Sequence, residues 1–204
     1  FKKKKIRVPK YFLMQKREDV KIFKKKIIKN KIKFPVVIKP INEGSSLGVS
    51  ICSNEKQLKS KYKKLIKAYE EIIVEEYIPG KEIQVAVMGN KALGAIELRP
   101  KRKFYDYAAK YFAKAKTQHI IPPTINKIKF KEVLGIAKKA HDILGCRGIT
   151  RSDFRFFKNK FYLLETNTQP GMTNLSLVPE IARHQGIKFD DLVNWMVKDA
   201  SYNR

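Results

Sequence analysis

Read for its alternation of apolar and polar positions, the chain predicts short strands interleaved with a few amphipathic helices. Tyr11-Phe-Leu-Met is strand-like, and Phe34-Pro-Val-Val-Ile-Lys-Pro reads as a buried strand ending at Pro40. A loop from Ile41 to Gly48 leads into Val49-Ser-Ile-Cys, and Ser53 is placed to cap the next helix. In that helix Leu58, Tyr62, Leu65, Ile66 and Tyr69 recur at helical spacing, which marks them as core. Ile72 to Ile78 forms a strand closed by Pro79-Gly80. Glu82 to Met88 alternates, turns at Gly89-Asn90 and returns as Ala92 to Leu98.

Residues 99–123 show no clear period, and a long irregular segment inside a compact domain is usually a lid or binding loop. A helix over roughly 129–144 follows, with Val133, Ile136, Ala140, Ile143 and Leu144 inward. Another helix begins near Leu177 or Val178. The last carries Phe189, Leu192, Val193, Met196 and Val197 on one face, with Trp195 at its edge. Strands, hairpins and helices are mixed, so the fold class is α+β.

Between the helix over 129–144 and the one beginning near Leu177 lies the most informative hairpin. Gly148 to Phe157 and Phe161 to Asn167 both read as strands, with Lys158-Asn159-Lys160 as the tip. With Asn159 at the centre, Asp153 faces Glu165 and Arg151 faces Asn167, all on one side of the sheet. A two-residue tip would shift that register and make the two acids diagonal neighbours. Like charges directly opposed cost roughly 0.2–1 kcal/mol. A hard cation such as Mg²⁺ converts the repulsion into ligation, because it takes oxygen ligands and leaves room for substrate phosphates. The competing reading is an ordinary solvated acidic face.

Composition narrows the classes. With 204 residues and 43% hydrophobic content the chain can bury a real core. No apolar run reaches the length of a membrane span, and Phe1-Lys-Lys-Lys-Lys lacks the apolar segment of a signal peptide. The sequence opens on Phe1 rather than Met, and an upstream part is expected to be missing from it. Cys52 and Cys146 have neither metal-ligand nor redox spacing and suit a reduced, cytoplasmic compartment. His119, His141 and His184 are scattered and form no zinc set. The net charge of +26 is carried mostly by Lys spread from end to end, alongside abundant Ile, Asn, Phe and Tyr. That reads as a coding bias with solvated lysines rather than a nucleic-acid stripe, and it would help gather an anionic substrate.

Two further segments carry candidate chemistry. Asn42-Glu-Gly-Ser-Ser-Leu-Gly48 follows a strand ending in Lys39; glycines let backbone N–H groups approach an anion, and the serines add hydroxyl donors. It lacks the order of a P-loop. Glu75-Glu-Tyr-Ile78 ends a strand, where backbone groups can meet an adenine edge and an acid can accept ribose hydroxyls.

Together these motifs resemble the D-alanine–D-alanine ligases of the ATP-grasp class. The likeness also takes in Phe104-Tyr-Asp-Tyr-Ala-Ala-Lys-Tyr, Gly145-Cys-Arg-Gly-Ile-Thr-Arg-Ser-Asp-Phe and Leu164-Glu-Thr-Asn-Thr-Gln-Pro-Gly-Met-Thr, in order through nearly the whole chain. The resemblance implies two α+β subdomains with mainly antiparallel sheets enclosing a nucleotide site, residues 1–79 central and 80–204 C-terminal, with a mobile loop at about 99–123. It implies ATP and two Mg²⁺, with Mn²⁺ as the alternative ion. Lys39 would contact the phosphates, with Glu43 and Ser46 in the loop that closes over them and Ser45 orienting that loop toward substrate. Glu75, Tyr77 and Ile78 would hold adenine, and Glu82 the ribose. Asp153, Glu165 and Asn167 would bind metal, while Arg151 stabilises the transferring phosphoryl group. Lys110 and Tyr111 belong to the mobile loop, and their pairing favours a dipeptide product over a depsipeptide. Gly171 would offer an N–H to an oxyanion, and Ser176 and Leu177 would line the second D-alanine subsite.

The implied activity is ATP-dependent joining of two D-alanines for peptidoglycan precursors, by a cytoplasmic enzyme whose full-length form is a homodimer, with no nucleic-acid or membrane partner. An N-terminal domain, with an acid for the first D-alanine amine and an upstream ATP-binding lysine, has no counterpart here. These 204 residues alone are therefore expected to bind nucleotide weakly and turn over poorly. Two alternatives stand: another ATP-grasp carboxylate–amine ligase, and a non-enzymatic basic nucleic-acid-binding module, whose affinity would fall steeply with salt.

Overall fold

The structure, a computed structural model, describes residues 1–44, 46–100, 117–174 and 176–201. They form two compact units. One holds Pro9–Ile78; the other holds Phe1–Val8, Pro79–Arg99 and the described residues from Gln118 onward. Phe1–Val8 thus groups with the residues beyond 79, on the far side of the sequence boundary from its neighbours.

The first unit is a four-stranded sheet, β1 (Tyr11–Gln15), β2 (Val36–Pro40), β3 (Ser50–Cys52) and β4 (Glu71–Glu76), in the order β1-β4-β2-β3 with antiparallel pairs. Alternation sends Phe12, Met14, Val36, Ile38, Ile72 and Val74 to one face. There they pack with Phe23 of α1 (Ile22–Lys29) and with Leu58 and Tyr62 of α2 (Glu55–Leu65). The helix α1 was not anticipated from the sequence. The cap of α2 is Asn54, whose side chain accepts from the Gln57 N–H, while Ser53 instead donates its N–H to the Gln57 side chain at 2.8 Å. The shift from Ser53 is one residue; the return bond from the Gln57 side chain reaches the residue before the cap rather than the cap itself, one position off a capping box.

The second unit is a five-stranded sheet, β5 (Lys81–Met88), β6 (Lys91–Arg99), β7 (Gln118–Ile120), β8 (Ile149–Phe157) and β9 (Lys160–Asn167), in the order β7-β6-β5-β8-β9. Ile83, Val85, Val87, Ala95, Phe154, Phe161 and Leu163 pack against Val133, Ala137 and Ala140 of α3 (Lys127–Ile143). α4 (Leu177–His184) lies against β6, and α5 (Phe189–Asp199) against α4. The expected irregular segment is strand at its described ends, since β6 runs to Arg99 and β7 pairs with it. Buried Glu97 fastens this region: it accepts the Thr124 N–H at 2.9 Å and pairs with Arg99 at 2.7 Å. Leu144, expected inward, is exposed at the C-cap of α3. Val193 and Val197 are also exposed, so α5 buries a narrower stripe than its apolar count suggested, chiefly Leu192.

His141, scattered among unremarkable histidines in the sequence, is buried in α3 with its Nδ1 2.8 Å from Thr150 Oγ1. Burial, reinforced by Lys138 and partly offset by Asp142, holds its pKa below the usual 6.5. The unfolded chain therefore binds a proton first as pH falls, and stability drops from about pH 6.5 toward the lowered folded value. Urea midpoints between pH 7.5 and 5.5 should fall in the wild type. In His141→Asn they should fall less; parallel curves would exclude His141 as the source.

Candidate functional site

In the first unit two candidate residues, Lys39 and Glu75, share the sheet face away from α1 and α2. Val37 pairs with Glu75 and Lys39 with Ile73, so Lys39 and Glu75 are diagonal neighbours on that face. Lys39 Nζ lies 2.8 Å from Glu75 Oε1, and Glu75 is buried at 7% exposure. The strand end offers fewer free amides than expected: the Tyr77 N–H donates to Pro35 O at 3.3 Å and Glu76 N–H to Lys10 O at 2.8 Å. Ile78 beyond them is buried.

The loop after β2 folds back on itself. Leu47 N–H donates to Gly44 O at 2.9 Å, and both Ser46 (φ 62°) and Gly48 (φ 71°) are left-handed. A Cβ on Gly48 would sit 2.9 Å from the Pro40 ring, so only glycine allows this return without displacement. The Glu43 carboxylate beside the Tyr69 hydroxyl raises the tyrosine's pKa, with burial adding to it. Tyr69 read as plain core from its spacing; its hydroxyl also senses the charge of the loop. Ser45 lies outside the described residues, as do Lys110 and Tyr111.

In the second unit Asp153 faces Glu165 and Arg151 faces Asn167. Arg151 grips Asp153 with two hydrogen bonds, Nε to Oδ1 at 2.7 Å and Nη2 to Oδ2 at 3.0 Å, and its Nη2 lies 3.9 Å from Glu165 Oε1. Asp153 is buried while Glu165 is exposed. Asn167 Oδ1 accepts the Gln169 N–H at 2.9 Å. Glu82 stands two positions along β5 from the residue opposite Asp153 and approaches Arg155, with 3.6 Å between charged atoms. Gly171 packs on Ser176, whose Oγ also accepts the Thr173 N–H at 3.1 Å, and Leu177 opens α4.

The acids face each other by a route the sequence did not disclose. The tip is two residues, Lys158 and Asn159, both with positive φ, and Phe157 pairs with Lys160. A bulge between Phe154 and Asp153 then absorbs Leu164 and restores the opposition of Asp153 and Glu165. Without it Glu165 would follow Phe161 and Leu163 onto the α3 face. Beneath the acids, Ser152 Oγ and Thr166 Oγ1 meet at 3.0 Å on that opposite face.

Among the described residues no three His, Cys, Asp or Glu side chains come together as a metal site. The candidate donors are two carboxylates and an amide, all hard oxygens, and the amide oxygen of Gln84, opposite Asp153, is buried without a hydrogen-bond partner among the described residues. That donor set fits a hard divalent cation such as Mg²⁺.

Two antiparallel α+β units, one carrying a lysine and a glycine-serine loop, the other facing acids with an arginine, define the ATP-grasp class. The family model described as "D-ala D-ala ligase C-terminus" matches residues 1–198, and the chain belongs to that family. It is 58% identical over its whole length to the D-alanine–D-alanine ligase of Pelagibacter ubique, of which it spans 66%. It is 47% identical to that of Wolbachia pipientis wMel over 98% of its length, spanning 62% of the relative. A crystal structure of the Bacillus anthracis D-alanine–D-alanine ligase complexed with ATP superposes with a TM-score of 0.81 at 26% identity, covering 97% of this chain and 62% of that one. The chain thus spans about two thirds or less of each of these relatives.

Proposed function

We propose that this chain forms the nucleotide- and metal-binding part of an enzyme that joins two D-alanines with ATP, supplying dipeptide for peptidoglycan. The observation that carries the reading is Asp153 opposed to Glu165 with Arg151 and Asn167 on the same face. In this reading ATP phosphorylates the carboxylate of one D-alanine, giving an acyl phosphate and ADP. The amine of the second attacks that carbonyl, and phosphate leaves. A divalent cation, when bound, neutralises the phosphate oxygens as charge moves.

The side chains do the rest by position and charge, because phosphoryl transfer needs little covalent help. Lys39 presents a point charge to the phosphates, and Arg151, whose Nε and Nη2 hold Asp153, presents its remaining guanidinium N–H groups to the phosphoryl group. Asp153, Glu165 and Asn167 hold the cation, and the Glu43 to Gly48 loop covers the phosphates. Glu75, Tyr77 and Ile78 take the adenine and Glu82 the ribose. The Gly171 N–H meets the developing oxyanion, with Ser176 and Leu177 beside the second substrate. An acyl phosphate hydrolyses in water, so Ser45, Lys110 and Tyr111 are assigned to segments that shut water out. The enzyme works in the cytoplasm and, at full length, as a homodimer. Among the described residues no helix is long and apolar enough to cross a membrane.

Calorimetric titration of Mg²⁺-ATP into the wild type and Glu165→Gln tests the reading. The variant should bind at least about ten times more weakly, the lower end for losing a charged contact. Equal binding by both would remove Glu165 from the metal site.

A further inference from the structure

Gln84 stands in the middle of β5, directly opposite Asp153 on β8 and Ile96 on β6. Strand alternation puts it on the face of Glu82, Asp153, Glu165 and Asn167. It is 1% exposed, and its Oε1 has no hydrogen-bond partner among the described residues. Its strand neighbours Ile83 and Val85 are fully buried apolar residues. An aliphatic side chain would fill this position without stranding an acceptor, and buried polar atoms with no partner are rare. A glutamine here calls for a donor.

We propose that Gln84 is a positioning residue of the metal site, its Oε1 accepting a hydrogen bond from a water carried by the cation at Asp153. This rests on the metal reading given above. A small divalent cation retains several waters, each with protons to place. The carboxylates of Asp153, which Arg151 also holds, and of Glu165 would ligate the cation itself, so a neutral acceptor beside them completes the shell without adding a third charge. Residues that hold a cation's ligands by hydrogen bonds commonly set its affinity by 10–100-fold.

The test is Mn²⁺ titration of the full chain with ADP present, free Mn²⁺ being read by electron paramagnetic resonance. Gln84→Leu should bind Mn²⁺ about ten-fold more weakly, the lower end of that range. Its melting temperature without metal should hold or rise, since an orphaned acceptor has gone. Gln84→Glu keeps an acceptor oxygen and should bind at least as tightly as the wild type. Gln84→Met serves as a second apolar variant should the leucine variant fold poorly. An apolar variant that matches wild-type affinity, or a Gln84→Glu loss as large as that of Gln84→Leu, overturns the proposal. The Glu165→Gln variant separates the two readings. If it loses Mn²⁺ while Gln84→Leu does not, only the Gln84 role fails; if the wild type binds no Mn²⁺, both fail.

Discussion

Replacing Arg151 with methionine is expected to lower turnover of the full-length protein by about 10³-fold, the lower end of the range for an arginine acting on a transferring phosphoryl group. Without metal, the same change should lower folding stability by about 3 kcal/mol. The second effect follows from the geometry. Arg151 makes two short bonds to the buried Asp153 and lies within 3.9 Å of Glu165, so it is the cation that now separates two opposed acids. Removing one partner of a buried pair leaves the other charge uncompensated, and the figure sits at the low end because Glu165 is half in solvent. A divalent cation can take over the neutralising role but not the directed donors. Mg²⁺ should therefore raise the melting temperature of Arg151→Met more than that of the wild type, while turnover stays low. Urea unfolding with and without Mg²⁺, beside an ADP-release assay, reads both. A variant as stable as the wild type in chelator would refute the compensating role.

The hairpin that carries this pair shows how far the sequence could be read. Its strands and the opposition of Asp153 to Glu165 were legible, but two features offset each other. A tip centred on Asn159 was one residue too long, and Leu164 bulges by one residue. The signal for the bulge was present: Phe161, Leu163 and Glu165 share one parity, and strict alternation would have carried a carboxylate into the core with two apolar side chains. Gln84 left a similar trace, a polar residue in phase with Glu82 in an otherwise apolar strand.

Other elements were hidden for different reasons. Helix α1 buries only Phe23 fully, and its run of lysines with no side-chain cap gives a weak period. The apolar count in α5 overstated its buried face because Val193 and Val197 point to solvent. Tyr69 sits at helical spacing with Leu58, Tyr62, Leu65 and Ile66, which fits its partly buried ring; nothing in that spacing reports the Glu43 carboxylate that raises its hydroxyl's pKa. The roles of Lys39 and Glu75 were inferred one by one, whereas the sheet joins them, because strand register is a long-range property.

That junction sets the last expectation. Lys39→Met should weaken ADP binding by roughly 10–100-fold, the loss typical of a hydrogen bond to a charged group, and leave adenosine binding nearly unchanged. The Lys39 ammonium is held by Glu75 at 2.8 Å, with only 23% of the lysine side chain exposed. The strand and the ion pair thus hold the charge in place, so little side-chain entropy is lost when a phosphate arrives. Glu75→Gln should behave in the opposite sense: adenosine affinity falls, because the acid facing the base is gone, while the added penalty on going from adenosine to ADP stays small. Calorimetry with adenosine and ADP on both variants separates the phosphate from the base. If Lys39→Met weakened adenosine as much as ADP, Lys39 would be supporting the sheet rather than the phosphates. In the double variant the two losses should not add, since each removes the partner the other is poised against.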